Sequence, residues 1–363
     1  MQPHFALNLP LNPVSFGQVS TAICREIFTR GLEPSIFPLG EIDLSSQGED
    51  INFSKLLKKC IDSNGPSHSR NSKAFKLWHL QPDALMSPSK CQNLLSFYEL
   101  DSPTKLELNI AAQNDITYFS SRYSCEVFEA AGSTNVKFLP LFFDENNFKQ
   151  SNKKYFDDRI TFTLCGKFEH RKHHAKILKA WVKKYGNNPK YYLNSALYNH
   201  FLSPEINSKL VSEAANPSDY HNVNYVPRMP SNKAYNDFLN SGDIVIGMSG
   251  GEGWGLPEFQ SVALGKHAVI LNAHAYKDWA NSENSVLVEP SSQKTDVYDG
   301  TFFKKGLTIN QGQIFDWNED DFISGCEEAI KRVESSKQNE AGLKLKEDFS
   351  VKNTVDLILE DLT

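Results

Sequence analysis

Cysteine is sparse and scattered. Six residues, at positions 24, 60, 91, 125, 165 and 326, stand singly, and none forms a Cys-x-x-Cys pair. That pattern excludes the usual spacing of a zinc ribbon or a dithiol redox site and points to buried, reduced thiols. No apolar run approaches the roughly eighteen residues of a membrane span. The first residues, Met1-Gln-Pro-His-Phe-Ala-Leu-Asn8, lack the basic and apolar regions of a secretory leader, so a cytoplasmic location is expected. Positive charge is not in excess either. Lys and Arg number 38 against 44 Asp and Glu, a formal net charge of -6. Nothing in that balance drives the chain toward nucleic acid or an anionic membrane, although a local basic patch leaves peripheral membrane contact open.

What is present is ordinary soluble-domain composition, with 40% hydrophobic and 23% charged residues. A length of 363 residues suggests two domains. Short apolar runs recur with helical stretches between them. Phe5 to Asn8 reads as a strand, and Val19, Ile23 and Ile27 then recur at helical spacing up to Gly31. Ser35 to Pro38, Ala74 to His79, Asn93 to Tyr98, Ile116 to Phe119 and Val136 to Leu139 read as further strands. A helix is expected around Phe53 to Ile61, its lysines on a solvated face, and Ser63 to Ser69 reads as loop. Asp144 to Asp158 is polar and suits a linker. Beyond it strands fit 160–164, 191–193, 223–226, 243–248, 267–271 and 286–288, with helices at 175–185, 322–333 and 351–362. Residues 290–315 read as a long irregular loop, a feature that is often functional. Alternating strands and helices imply α/β architecture with parallel sheets. The expected division is 1–150, 151–345 and a C-terminal helix at 346–363 that packs back on the first domain.

The densest chemical signal is Ser249-Gly-Gly-Glu-Gly-Trp-Gly-Leu-Pro-Glu-Phe-Gln260. It follows the apolar run Asp243 to Met248 and precedes a short helix ending near Gly265. Strand, glycine-rich loop and helix in that order let a ligand approach the backbone, with the helix start offering free N–H groups. Glu252 within the loop would repel a phosphate, so it is expected to meet a neutral hydroxylated group beside one. A loop-capping acid is the alternative. Glu258 is six positions after Glu252 and lies on a different helix face, so it is not expected to take the part of the residue at 260.

This stretch resembles the donor-site signature of retaining GT-B glycosyltransferases of glycosyltransferase family four (glycosyl transferases group 1). Ser249, Glu252, Gly253, Gly255, Leu256 and Pro257 match in order, with Trp254 at an aromatic position. Cys165-Gly-Lys-Phe-Glu-His-Arg-Lys172 is similar to the family's Gly-Arg-x-x-x-x-Lys segment, with Lys167 in place of Arg. Ser121 to Gly132, Phe138 to Asp144, Phe16-Gly17 and Tyr98 to Pro103 look like further family segments. The resemblance implies two Rossmann-like domains facing across a cleft. It implies an enzyme moving a sugar from a UDP- or GDP-sugar to a glycan or other hydroxyl acceptor, in glycan biosynthesis.

On that resemblance, Glu252 contacts the transferred sugar, and Lys167 and Lys172 meet the diphosphate. Gly17, Gly166, Gly253, Trp254, Gly255 and Leu256 line the donor site. The family's second glutamate is replaced by Gln260, which has one accepting oxygen where a carboxylate has two and should hold the ribose less tightly. His79 follows a strand near the expected transferred sugar, with a core histidine as the alternative. Glu99 is placed as an acid/base or a loop stabiliser. No aspartate pair suits a metal, so leaving-group stabilisation without metal or cofactor is expected. The histidines of His170-Arg-Lys-His-His174 are expected to be solvated. Glu252→Ala should remove transfer and leave the fold intact. A catalytically inactive GT-B scaffold and a sugar-nucleotide epimerase are the alternatives.

Overall fold

In a computed structural model of the chain, residues 4–67, 73–199 and 201–362 are described. They form two compact units. The first comprises residues 4–147 with Gly306–Gln311 and residues 347–362, and the second comprises Phe148–Lys305 and Gly312–Lys346.

The first unit is built on six strands: β1 (Ala6–Pro10), β2 (Ser35–Leu39), β3 (Lys73–Leu77), β4 (Cys91–Ser96), β5 (Ile116–Phe119) and β6 (Val136–Phe138). Their order in the sheet is β2-β1-β3-β4-β5-β6, and every pairing is parallel. β1 is buried throughout, as a strand covered on both faces must be. Pro38 falls in β2, at the sheet edge, where a missing N–H breaks no inner ladder. Helix Ser15–Thr29 follows β1 and turns Val19, Ala22, Ile23 and Ile27 inward, the helical period read in the sequence. Helix Val351–Leu362 also belongs to this unit, where Tyr118 bonds to Asp361 and Arg30 bonds to Asp356 at 2.5 Å.

The second unit repeats the plan with β7 (Ile160–Gly166), β8 (Tyr191–Leu197), β9 (Val223–Tyr225), β10 (Ile244–Gly247), β11 (His267–Leu271) and β12 (Val286–Val288). The order is β12-β11-β10-β7-β8-β9, again parallel. The first strand of this unit, β7, therefore lies between β8 and β10. Successive connections run one way from β7 and then the other, which opens a crevice at the carboxyl ends of β7 and β10. In the first unit the same reversal falls between β1 and β3.

Some expectations need correction. Asn64–Ser67 is a helical turn rather than loop, with Asn64 bonded to the Ile36 carbonyl, while residues 68 and 69 lie outside the described residues. The stretch 290–315 is not wholly irregular. β13 (Lys294–Asp296) and β14 (Gln313–Phe315) pair antiparallel within it. Its Gly306–Gln311 segment folds with the first unit, where the Asn310 N–H donates to Glu107 and Thr104 Oγ1 donates to the Thr308 carbonyl. β3 and β4 end at Leu77 and Ser96, so His79 and Glu99 stand in the loops beyond them.

Candidate functional site

Two segments at the reversal point of the second unit carry the ionisable groups. The first leaves β7 at Gly166, passes a short helical turn, His170–Lys172, and enters helix His174–Tyr185 through His173, which is left-handed at φ 54°. The second leaves β10 at Gly247 and reaches helix Leu256–Ala263 through the glycine-rich loop. Gly255 is required at the junction. Its φ is 79°, and a Cβ there would lie 2.2 Å from the Tyr276 ring.

The two segments are joined by charge. Glu252 is buried, with Oε1 bonded to the Lys172 ammonium and 3.3 Å from Arg171 Nη1. Arg171 also donates to the Gly251 carbonyl at 2.6 Å and lies 3.2 Å from Glu169. Glu169 in turn meets Lys167 at 2.7 Å. The Gly250 N–H donates to the Arg171 carbonyl at 2.8 Å. Burial alone would raise the Glu252 carboxyl, but Lys172 and then Arg171 hold it far below the usual carboxylate range. Burial also lowers Lys172, and the Glu252 charge more than restores it. Both groups stay ionised through their pairing.

The expectation of solvated histidines after Glu169 is corrected for two of three. His173 and His174 are buried, and burial lowers both. His173 Nε2 bonds to the Phe315 carbonyl at 2.9 Å, and the Phe315 N–H donates to the Gly250 carbonyl at 2.9 Å. Strand β14 thus braces the glycine loop, a task of the 290–315 stretch that its composition did not disclose. Among the described residues, no group of three or more His, Cys, Asp or Glu side chains is arranged to hold a metal ion.

The other residues singled out in the sequence are distributed as follows. Gly166 lies against the stem of Lys172, and Lys167 is partly exposed, 5.4 Å and 5.5 Å from the rings of Phe201 and Phe302. Gly253 and Leu256 continue the loop into the helix. Trp254 points into an aromatic cluster with Phe259, at 5.4 Å, while its carbonyl accepts from Trp279 Nε1. Gln260 is buried and accepts from the Tyr235 hydroxyl at 3.1 Å. In the first unit Gly17 lies in the opening turn of helix Ser15–Thr29, and its neighbour Phe16 packs on His79 with ring centroids 4.4 Å apart. His79 is exposed rather than core, and Glu99 is half-buried in the loop after β4. Gly17 and His79 therefore flank the reversal point of their own sheet.

Two residues carry no functional sign in the sequence, and Glu258 does more than its helix face suggests. Arg171 was absorbed into a basic run. His274 is buried with Nε2 bonded to the Ser249 carbonyl at 2.8 Å, and burial pushes it down to about 4. Glu258 does not stand apart from Glu252. It is buried, and with Lys172, His174 and Glu252 it lines one small cavity walled by Leu164 and Met248. Burial raises its carboxyl to about 7, the Lys172 charge opposing and the Glu252 charge adding to the rise. Gly247 makes room for it, since a Cβ there would lie 2.8 Å from Glu258 Cγ.

The sequence matches no protein-family model and no curated protein sequence. The structure matches many solved ones. Sucrose-phosphate synthase from Thermosynechococcus elongatus superposes with a TM-score of 0.67 over 99% of this chain and 98% of that one, at 10% identity. The chain has the GT-B fold. Anabaena HepE in complex with UDP-glucose is similar to this GT-B chain with a TM-score of 0.65 over 99% of each, at 11% identity. WaaG, a glycosyltransferase involved in lipopolysaccharide biosynthesis, is similar with a TM-score of 0.62 over 99% of each, at 9% identity. The two parallel six-stranded sheets with helices are those of the GT-B architecture expected from the sequence.

Proposed function

We propose that this chain is a retaining glycosyltransferase that takes a sugar from a UDP- or GDP-sugar and passes it to a glycan or other hydroxyl acceptor. The observation that carries the reading is the pairing of Glu252 with Lys172 and Arg171 at the carboxyl ends of β7 and β10. Open α/β sheets bind ligands at that point of reversal. A fixed carboxylate there suits the hydroxyls of a sugar, and the adjacent cations suit its diphosphate. Departure of a nucleoside diphosphate leaves negative charge on phosphate oxygens, and Lys172, Arg171 and Lys167 would stabilise that charge as it develops. Glu252, held ionised, would accept hydrogen bonds from the sugar and orient it. The likeness to a structure holding UDP-glucose supports the donor class.

A binding-only GT-B scaffold has one observation in its favour. Gln260 stands where the resembled signature has a glutamate, and its carbonyl oxygen already accepts from Tyr235. Nucleotide release from a panel of UDP- and GDP-sugars, with and without acceptors, separates the readings. Transfer with release of nucleotide is expected. Binding without release would favour the scaffold, an altered sugar nucleotide without acceptor would favour an epimerase, and no binding of any donor would contradict the proposal.

A further inference from the structure

Glu258 has no place in the donor-site signature and sits inside the charge cluster nonetheless. It is 4% exposed, and its Oε2 is buried without a well-formed hydrogen bond. The groups that face it come from six other places in the unit. They are Cys165 on β7, Lys172 in the helical turn, His174 at the next helix start, Tyr235 on helix Asn232–Ser241, Glu252 in the glycine loop and Tyr276. Burial lifts the Cys165 thiol to about 12, lifts both tyrosines well above their ordinary range, and drops His174 well below its own. Those four are uncharged near neutrality.

The charge balance then turns on Glu258. Lys167, Arg171 and Lys172 are linked to two carboxylates, Glu169 and Glu252, which leaves one surplus positive charge for a diphosphate. An ionised Glu258 cancels that surplus. Resting on the donor-site reading above, we infer that Glu258 is a positioning residue for Lys172: its neutral form leaves the site net positive and able to take a nucleotide diphosphate, and its ionised form competes for Lys172. Burial raises its carboxyl to about 7, so both forms are populated at neutral pH. Donor binding and proton binding at Glu258 reinforce each other, and by linkage each strengthens the other equally.

The test uses UDP-glucose and GDP-mannose, titrated separately by calorimetry at pH 6.0 to 8.5. Their bridging diphosphates do not titrate in that range and their base N–H groups ionise mainly above it, so a tenfold pH dependence belongs to the protein. Wild-type affinity should fall about tenfold across the range, the limit for a coupling of about one pKa unit. Glu258→Gln, a neutral isostere, should match the wild type at pH 6 and bind more tightly at pH 8.5, with a change of less than about twofold overall. Titration at pH 7.5 in buffers of different ionisation heat should show uptake of roughly half a proton by the wild type and none by the variant. The wild-type proton uptake needs no variant, and Glu258→Met serves if Glu258→Gln does not fold. Donor binding with no proton uptake and no pH dependence overturns the proposal alone. So does loss of binding in Glu258→Gln at every pH, which would make the negative charge itself the requirement. Failure of the wild type to bind either donor at any pH overturns the donor-site reading and this proposal with it.

Discussion

Glu252 and Glu258 are both buried, both face Lys172, and titrate in opposite directions. The difference lies in the partner each one reaches. Glu252 is bonded to Lys172 and close to Arg171, so its folded-state carboxyl is depressed. A depressed carboxyl stabilises the fold fully above its unfolded value and loses that contribution as pH falls through the folded one. Glu252→Gln should therefore cost about 3 kcal/mol at pH 7, because the buried Lys172 loses its bonded counter-charge and Arg171 loses one of two. Urea denaturation measures this, and the penalty should shrink in acid. The same variant should lower transfer by at least about a hundredfold. The expectation that Glu252→Ala leaves the fold intact is revised on the same ground. Glu258 carries the reverse sign. Its raised carboxyl binds a proton in the folded state that the unfolded chain has released, so stability is highest below about 4.5 and declines as pH rises to about 7. Wild type should lose up to about 3 kcal/mol over that range, and Glu258→Gln should be nearly flat by comparison. Equal dependence of stability on pH in the two proteins, followed by urea melts between pH 4.5 and 7, would contradict this.

Among the elements, the loop from β10 to helix Leu256–Ala263 is set by Gly255. An alanine there adopts a left-handed backbone and meets the Tyr276 ring at 2.2 Å. Gly255→Ala should destabilise by about 2–4 kcal/mol and reduce transfer, since the strain falls three residues from Glu252. In the first unit, Thr104 caps helix Lys105–Ala112 reciprocally with Glu107. Thr104→Ala should cost about 1 kcal/mol in a urea melt. Elements of this kind were readable because their causes are local. Apolar runs marked β1, β7 and β10, and Gly31 and Gly265 marked chain reversals at positive φ. The pairing of β13 and β14 was not readable, since it joins Lys294 to Phe315 across residues 297–312, a stretch far longer than a hairpin turn. Arg171 was missed for a similar reason. Its bond to Gly251 spans 80 residues, and a basic run gives no local sign of burial. Glu258 was judged by helix face alone, whereas β10, the 170–174 turn and Tyr276 decide its surroundings.

For the whole molecule, the net charge of -6 and the positive cluster in the second unit describe different scales. The overall charge speaks for solubility, and the local cations decide what a single site can hold. The GT-B fold was legible as alternating strands and helices together with one dense motif. The electrostatic arrangement behind the motif required the strand order, which brings the ends of β7 and β10 together. On the proposed function, Lys172 and Glu252 form the diphosphate and sugar ends of one donor site. Calorimetric titration of UDP- and GDP-sugars into the wild type and Lys172→Ala is the decisive measurement. Saturable binding by the wild type to at least one donor is expected, with a loss of at least about tenfold in Lys172→Ala, the worth of one charge-assisted contact. No binding by the wild type, or equal binding by both proteins, would contradict it.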